Sequence, residues 1–501
     1  MFLSSQRVSL SLCLVWLACG VLSTVTAQAG NDSATPVSAP MQVNPMSGKQ
    51  SLEKTPELQQ ASLQPWWQSF EQPALNALVM QALLNNLDLK IAMAQTQQSQ
   101  LIARASLAKE LPRISLNPNI TRQKNSKNLT TPNMRQFAMP GPQLFAPGQT
   151  VNIYSLPINI QYDLDPWLRN RLMTKALQQQ TIAQALRVQA LQRQVVASVV
   201  STSVRWQRLH AEQQLLNKQD ELLGLQKKLA DDLIHAGLIS QGQGIGYTQA
   251  ILVNQQTLRG LHQQQQEAEK TLMLALGVTH PEQLSPWLQQ LKTVSRQSYG
   301  IPNLIAKQSQ QSAESLPAEV FQALEHRPDV AASQALLKAA GINVQVAKRL
   351  FLPSFSLTGQ AGLTSTTLSN WLNWDSLLAS VGAGMVQTLF AGGELKANLQ
   401  QQKAFYNEHL YRYQQTYLTA VSEVATTQNQ LQQAWQQYQL VKQQLHQQND
   451  LLNQRYSQVR AGILPEREML PTLVEHLNLH RQSVIAHEAV LQHWVSLQLA
   501  S

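Results

Sequence analysis

The sequence predicts a mainly α protein with a small β part, and three observations carry that prediction. Two stretches free of proline, Leu168 to Ala236 and Gly393 to Leu464, keep helical periodicity far beyond the length of an ordinary globular helix. Four shorter segments alternate apolar and polar residues over about ten positions, the length of an outer-membrane strand. Landmarks of the first half also return in the second at a fixed offset, the mark of an internal two-fold repeat.

The repeat sets the order of the elements. Asp88-Leu89 returns 241 residues later as Asp329-Val330, Leu111-Pro112 as Leu352-Pro353, and Ile114-Ser115-Leu116 as Phe355-Ser356-Leu357. Further on, Ala236-Gly237-Leu238 returns after 225 residues as Ala461-Gly462-Ile463, the loops having changed length. Each copy reads as a helix, a β pair, a very long helix, a glycine turn and a second helix.

The long helix of the second copy carries Tyr406, Leu410, Tyr413, Tyr417, Ala420, Val424, Thr427, Leu431, Ala434, Tyr438, Val441, Leu445, Gln448 and Leu452 at alternating spacings of four and three. That is a sustained heptad stripe. The first copy has Leu191, Val195, Val199, Thr202, Trp206 and Leu209 in the same role. About 65 residues at 1.5 Å each give a helix on the order of 100 Å long, several times a bilayer core, so it must project into an aqueous space. Its remaining positions are mainly Gln, which suits faces wetted on both sides.

The β candidates are Leu111 to Gln123, Gln149 to Asp163, Pro353 to Thr364 and Leu378 to Phe390, with a bulge expected at Pro157 where the alternation shifts. The connecting segments Lys124 to Gly148 and Ser365 to Ser376, the latter with Trp371 and Trp374, read as extracellular loops with an interfacial aromatic rim. Four strands cannot close a barrel, for which about eight are needed. The barrel must therefore be shared between subunits, and three copies would supply twelve strands.

The amino terminus reads as an export signal: Arg7, a mainly apolar run from Val8 to Leu22, and a small-x-small site ending at Ala29. A second reading has Cys19 lipidated as the first residue of the mature chain, although Trp16-Leu17 suits that motif poorly. Cys13 and Cys19 are the only cysteines, so no disulfide is expected to hold the fold. After the signal no apolar run is long enough for a membrane helix, which leaves a β-barrel as the way into a bilayer. Segments 1–29, 30–64, 65–278, 279–316 and 317–501 are read as signal peptide, flexible tether, first repeat, equatorial connection and second repeat.

A formal charge of +9 comes from Lys and Arg scattered singly among Gln, without a basic patch interleaved with aromatics, which argues against nucleic acid. Gly242-Gln243-Gly244-Ile245-Gly246 has neither a preceding strand nor a following Gly-Lys-Ser/Thr and reads as part of a hairpin turn, so no nucleotide or other cofactor is expected. His476 and His480 stand one helical turn apart, but His480 and His487 fall on the apolar stripe with Leu473, Leu477, Val484, Leu491 and Trp494. Packing is the better reading than a metal site. No nucleophile elbow or other catalytic setting occurs, so no enzyme is expected.

Several motifs resemble a known family in the order expected of it: Trp66-Trp67, Asn86-x-Asp88-Leu89, Tyr162-Asp163-Leu164-Asp165, Arg327-Pro328-Asp329-Val330, Leu352-Pro353-Ser354, Gln387-Thr388-Leu389-Phe390-Ala391-Gly392-Gly393 and Arg460-Ala461-Gly462. Over residues 60 to 500 the chain is similar to the TolC-like outer membrane factors, in particular the branch serving resistance-nodulation-division (RND) pumps. That resemblance implies a homotrimer in outer-membrane lipid, with a twelve-stranded barrel, a periplasmic tunnel of twelve helices and a belt drawn in part from Thr279 to Pro317. It implies a periplasmic adaptor and an inner-membrane transporter as partners, and a passive duct for drugs or small toxic molecules. Export of proteins by a type I system keeps the same fold, and a non-channel coiled-coil protein remains the alternative from another class. Many members of the branch are lipoproteins, and the roughly fifty residues between Cys19 and Trp66-Trp67 fit their spacing, which keeps the Cys19 reading open beside cleavage after Ala29.

The resemblance also implies a gate at the periplasmic tip, at Gly237 in the first copy and Gly462 in the second. The candidate residues beside Gly462 are Leu464, Glu466, Arg467 and Glu468. Glu468 stands where the family often has the first acid of the tip, but Pro471 stands where a second is common and Gln243 takes the matching place in copy one. A weaker cation preference is expected. Glu466 and Glu468, following Pro465, equally suit the first turn of the last helix, where acids favour the dipole.

Overall fold

The computed structural model describes residues 65–128, 148–294, 301, 303–310 and 324–500. The proposed signal and tether, Cys19 among them, lie outside these residues, as do most of the first extracellular loop and parts of the equatorial connection. The described chain is mainly helical with one small sheet, as the sequence predicts. A 3₁₀ turn over Trp66–Phe70 leads into α1 (Pro73–Asn85) and α2 (Leu87–Leu107), then β1 (Arg113–Leu116), β2 (Asn119–Lys124) and β3 (Thr150–Leu164). The long α3 (Arg169–His235) follows, with α4 (Gln241–Leu276), α5 (Pro281–Val294) and α6 (Asn303–Ser309). The second half comprises α7 (Pro328–Arg349), β4 (Ser354–Ser365), β5 (Leu377–Val386), the long α8 (Glu394–Arg460), a 3₁₀ turn over Glu466–Glu468 and α9 (Met469–Ala500).

Helices start and stop where local chemistry dictates. The Asn86 side chain caps α2 by accepting the Leu89 N–H at 3.0 Å. Before α3, the Asp165 carboxylate accepts the N–H groups of Arg169 at 2.7 Å and Asn170 at 2.8 Å. Both long helices have 67 residues, about 100 Å at 1.5 Å per residue. Both end in a Schellman motif. Gly237 N–H bonds to Ile234 O and Leu238 N–H to Leu233 O; Gly462 N–H bonds to Val459 O and Ile463 N–H to Gln458 O. The two glycines have φ of +69° and +73°, a conformation that costs other residues about 1–2 kcal/mol.

The heptad stripe of α8 is at least half-buried from Leu410 to Leu452, with Ala420, Val424, Leu431 and Val441 buried outright. Most of its other charged and Gln positions face out, whereas Gln428 is buried and its amide donates to Gln308 O at 3.1 Å. The main core lies across the middle of the bundle, where Trp206 and Trp494 are fully buried. Trp494 meets Trp66 and Phe70 edge-on at 5.6 and 5.5 Å, and its indole N–H donates to Gln308 Oε1 at 2.6 Å. The Trp66-Trp67 segment thus folds back on the last helix.

The sheet is antiparallel throughout, with β3 and β4 central, β1 and β2 on one edge and β5 on the other. Three expectations need correction here. The segment Leu111 to Gln123 is broken in two at Asn117-Pro118, because Pro118 has no N–H to give and lies across from the neighbourhood of Pro157. The bulge expected at Pro157 is absent: Leu116 pairs with Ile158 and Asn119 with Ser155, so no residue is inserted. Pro157 is tolerated inside the sheet because Gly362 faces it, where a Cβ would lie 2.5 Å from the Pro157 Cα. Finally, β5 stops at Val386 rather than Phe390, and Gln387 to Phe390 have no strand partner among the described residues.

Candidate functional site

The register of the sheet sorts its residues by chemistry. Side chains alternate between faces along each strand, and the pairing gives the middle of the sheet two faces of different chemistry. One face holds Ile114, Leu116 and Ile120, then Leu156, Ile158, Ile160 and Leu164, then Phe355, Leu357 and Leu363, then Leu377, Val381 and Met385. These groups are largely exposed, Val381 at 84%. The opposite face holds Ser115, Thr121, Gln123, Asn159, Gln161, Ser356, Thr358, Gln360 and Ser380, with Val151, Ile153, Leu378 and Val386 towards the strand ends. An exposed apolar face backed by a polar one is the arrangement of a barrel wall between lipid and a wet lumen.

Tyrosines and tryptophans stand near the ends of the apolar face. At the loop end Tyr154 lies 5.9 Å from Trp371. At the helical end are Tyr162 and Trp167, whose indole N–H donates to Pro353 O at 2.7 Å while the Arg349 guanidinium donates to the Trp167 carbonyl. Tyr154 and Tyr162 are eight residues apart, about 27 Å of strand before tilt, which suits an apolar band about 25 Å tall. Among the described residues no helix is long and apolar enough to cross a membrane.

The candidate gate residues come together at the far end of the long helices. Leu464 is half-buried, whereas Glu466, Arg467 and Glu468 are exposed in a single 3₁₀ turn. Glu468 N–H bonds to Pro465 O at 3.0 Å, and Arg455 donates to the Glu468 carbonyl at 3.4 Å. Arg467 borders a groove shared with Ile239 and Tyr247 of the other hairpin. The Gly242–Gly246 run is part of α4 rather than of the turn, since helix resumes at Gln241; the Gln243 side chain lies outside the described groups.

Midway along the bundle, His480 and His487 line a groove between α3, α8 and α9 together with Arg208, Lys218, Tyr438 and Glu488. His487 packs against the Tyr438 ring at 5.7 Å, and burial pushes its pKa down to about 4. Burial, then His476 and Lys218, likewise lowers His480. The His476 and His480 rings are 6.2 Å apart, and no group of three metal-ligating side chains occurs among the described residues.

Two ionic nodes were not assigned a role from the sequence. Arg327 is buried and donates to Asp329, to Glu423 at 2.9 Å and to the Ala500 carbonyl at 2.6 Å, tying α7, α8 and the end of α9 together. Burial raises the Asp329 pKa, but the hydrogen bonds and charge of Arg327 outweigh this and hold it below the usual carboxylate range. On α3, Glu212 joins Arg208 and Arg481, and Arg208 reaches Glu488 of α9 at 3.1 Å. The signal for the second is charge set among apolar helix positions, and for the first the Arg327-Pro328-Asp329 run that opens α7.

The family model described as outer membrane efflux protein matches residues 78–278 and again 320–501. The chain belongs to this family. Among relatives of the outer membrane efflux protein, the pyoverdine export outer membrane protein OpmQ of Pseudomonas putida is 26% identical over 433 residues, covering 86% of this chain and 85% of that one. The multidrug resistance outer membrane protein MdtP of Escherichia coli O157:H7 is 24% identical, covering 73% and 71%. Two solved structures share the fold: the Campylobacter jejuni CmeC outer membrane channel, with a TM-score of 0.72, 20% identity and coverage of 92% and 93%, and the Vibrio cholerae outer membrane protein VceC, with 0.70, 21%, 87% and 98%.

Proposed function

We propose that three copies of this outer membrane efflux protein form a twelve-stranded barrel in outer-membrane lipid, continued by a periplasmic tunnel of their long helices. The channel is the exit duct of a tripartite efflux pump for drugs or small toxic molecules. It is a passive conduit that works with a periplasmic adaptor and an inner-membrane transporter of RND type. The observation that carries this reading is the sheet: one exposed apolar face, one polar face, and two open lateral edges. Four strand widths are too few to close on themselves, and three copies give a closed wall. The named relatives, which include proteins for pyoverdine export and multidrug resistance, support small molecules as cargo.

The detergent-extracted protein is expected to have the mass of three chains and to conduct ions in planar bilayers. A monomer that stays resistant to proteolysis and does not conduct would refute the channel. At the tip, three copies of Glu468 form a ring that favours cations, so Glu468→Gln lowers cation selectivity and divalent-cation block, with Glu466→Gln as neighbour control. If neither changes conduction, the narrowing belongs to Leu464 and its neighbours. Mass spectrometry of the mature amino terminus distinguishes acylated Cys19 from a free Gly30.

A further inference from the structure

The four helices that continue the sheet carry an uneven charge where they meet it. The ten residues nearest the sheet on α2, α3, α7 and α8, residues 98–107, 169–178, 340–349 and 394–403, hold eight Lys or Arg and a single carboxylate, Glu394. The remainder of α3 and α8, residues 179–235 and 404–460, holds eleven against eight. The excess is therefore local to the junction.

The strands settle which way these charges face. On β3 the residues of the polar face direct their carbonyls to the β1/β2 edge: Pro157 O accepts the Asn117 N–H at 3.1 Å and Gln149 O the Asn125 N–H at 2.9 Å. For L-residues on a strand running from loops to helices, this sets β1 to the right of β3 and β4 to its left when the apolar face is viewed with the loops uppermost. The helices inherit that order. On α3, Thr174 shares a hydrogen bond with Ser106 of α2, and Ala183 packs on Ala332 and Ala335 of α7. At about 100° per residue, Arg171 and Lys175 lie between those two contacts, on the side continuous with the apolar face. The same construction starts from Ser106 on α2, from Ala332 and Ala335 on α7, and on α8 from Tyr406, which lies against Gly341 of α7. It places Arg104, Arg349, Lys396 and Lys403 on that side as well and turns Glu394 away from it. Five of the six are exposed, and Arg349 is half-buried where it donates to the Trp167 carbonyl. None of the six has an ion pair among the described residues.

We propose that these six side chains form a collar that binds the phosphate groups of anionic phospholipids in the leaflet nearest the tunnel, in preference to zwitterionic lipids. The collar rests on the multi-copy barrel proposed above, which three copies would close into a ring, and adds which lipid that barrel selects. Its height fits. Arg104, Arg171, Arg349 and Lys396 lie within one turn of the helix ends nearest the sheet, about 5 Å, and the headgroup layer on one side of a bilayer is about 5–7 Å deep. Lys175 and Lys403 stand lower, and their long stems can reach back towards the lipid. Tyr162 ends the apolar face just above them, so aromatic and cationic groups follow one another as at a membrane surface. Gln, common farther along these helices, would keep the same side wet without attracting an anion.

Native mass spectrometry of the full-length trimer tests the collar, after incubation in detergent with equal amounts of phosphatidylglycerol and phosphatidylethanolamine. The wild type should retain the anionic lipid about fivefold over the zwitterionic one. Arg171→Gln, Lys175→Gln and Lys396→Gln together should bring that ratio to about one while the three-chain mass persists. Lys228→Gln, Arg259→Gln and Lys270→Gln, at exposed positions of the tunnel helices, should leave it unchanged. Inorganic phosphate at the lipid concentration should not displace the lipid, because a free anion lacks the acyl chains that hold a headgroup at this height; displacement would make the collar a site for free anions and overturn the lipid reading. Equal retention of the two lipids by the wild type overturns the collar without any variant, as does a preference that survives in the triple variant of the collar. A mass of one chain in mild detergent overturns instead the barrel on which it rests.

Discussion

The long helices α3 and α8 have the same length and end in the same glycine turn, yet they live in different surroundings. Each packs against its own half, α3 on α2 and α4, α8 on α7 and α9. In addition α3 packs along α7 and α9 of the other half, and α8 has no such second pair. The shared stripe is buried in both, Trp206 in one and its counterpart Leu431 in the other. The opposite side differs: Leu215 is 8% exposed, and its counterpart 225 residues on, Leu440, is 56% exposed. The neighbours that α8 lacks are counterparts of α7 and α9, namely α2 and α4, and in the proposed assembly a second copy would supply them. The chemistry of the two contacts differs as well. Inside the chain, Arg208 and Glu212 of α3 meet Glu488 and Arg481 of α9, whereas the counterparts are all Gln: Gln433, Gln437, Gln263 and Gln256.

The strongest way to break this comparison is a charge on the open side of α8. Leu440→Glu buries an unpaired carboxylate between copies, on the order of 3–5 kcal/mol per contact. We expect loss of the three-chain mass in analytical ultracentrifugation while far-ultraviolet circular dichroism keeps its helical signal. If Leu440→Glu still gives stable trimers, the open side of α8 is not an interface.

Within the chain, Leu215→Ala is expected to cost about 2–4 kcal/mol by leaving a cavity in a packed site. Leu440→Ala should cost well under that once the copies have been dissociated. Denaturant unfolding of the two variants below the trimer dissociation concentration makes the comparison, and equal losses would show that α8 is as enclosed as α3.

The third effect concerns the groove that α8 closes over α3. His487 faces Arg208 and Lys218 of α3, Tyr438 of α8 and His480 and Glu488 of α9. Its folded pKa of about 4 lies below the ordinary 6.5, so the unfolded chain binds more protons between these values. The neutral ring therefore contributes stability that is complete above pH 6.5 and is lost as pH falls towards 4. A shift of this size corresponds to about 3 kcal/mol in a dry site, and to about 2 kcal/mol here because part of the ring meets the groove. Melting temperature measured from pH 7.5 to 4.5 should fall less in His487→Gln than in the wild type; parallel slopes would place the proton uptake elsewhere.

The smallest expected effect probes where the two helices agree. A Cβ on Gly237 or Gly462 meets nothing within 4 Å, so alanine at either costs only the left-handed backbone, about 1 kcal/mol. Calorimetry of the two single variants should give equal shifts. A larger loss at Gly462 would mean that its hairpin alone is clamped against a neighbouring copy.

Local periodicity, or a backbone angle that one residue type accepts without strain, is enough to place the long helices, their heptad stripes, the two glycine turns and the approximate position of the strands, but not the strand ends or the break at Asn117-Pro118. Tyr406 to Leu452 reads as one face of a helix without knowledge of any partner. What only the tertiary structure decided was pairing and its consequences. Pro157 looked like a bulge from its own strand, and the Gly362 that makes room for it is 205 residues away in the sequence. Arg327 was legible as a motif, but Glu423 and the Ala500 carbonyl that hold its charge come from helices the sequence cannot bring together. The division of α3 and α8 into an enclosed and an open helix was likewise invisible in their shared stripe. Burial belongs to the neighbours a helix finds, and those are set by how the two halves pack.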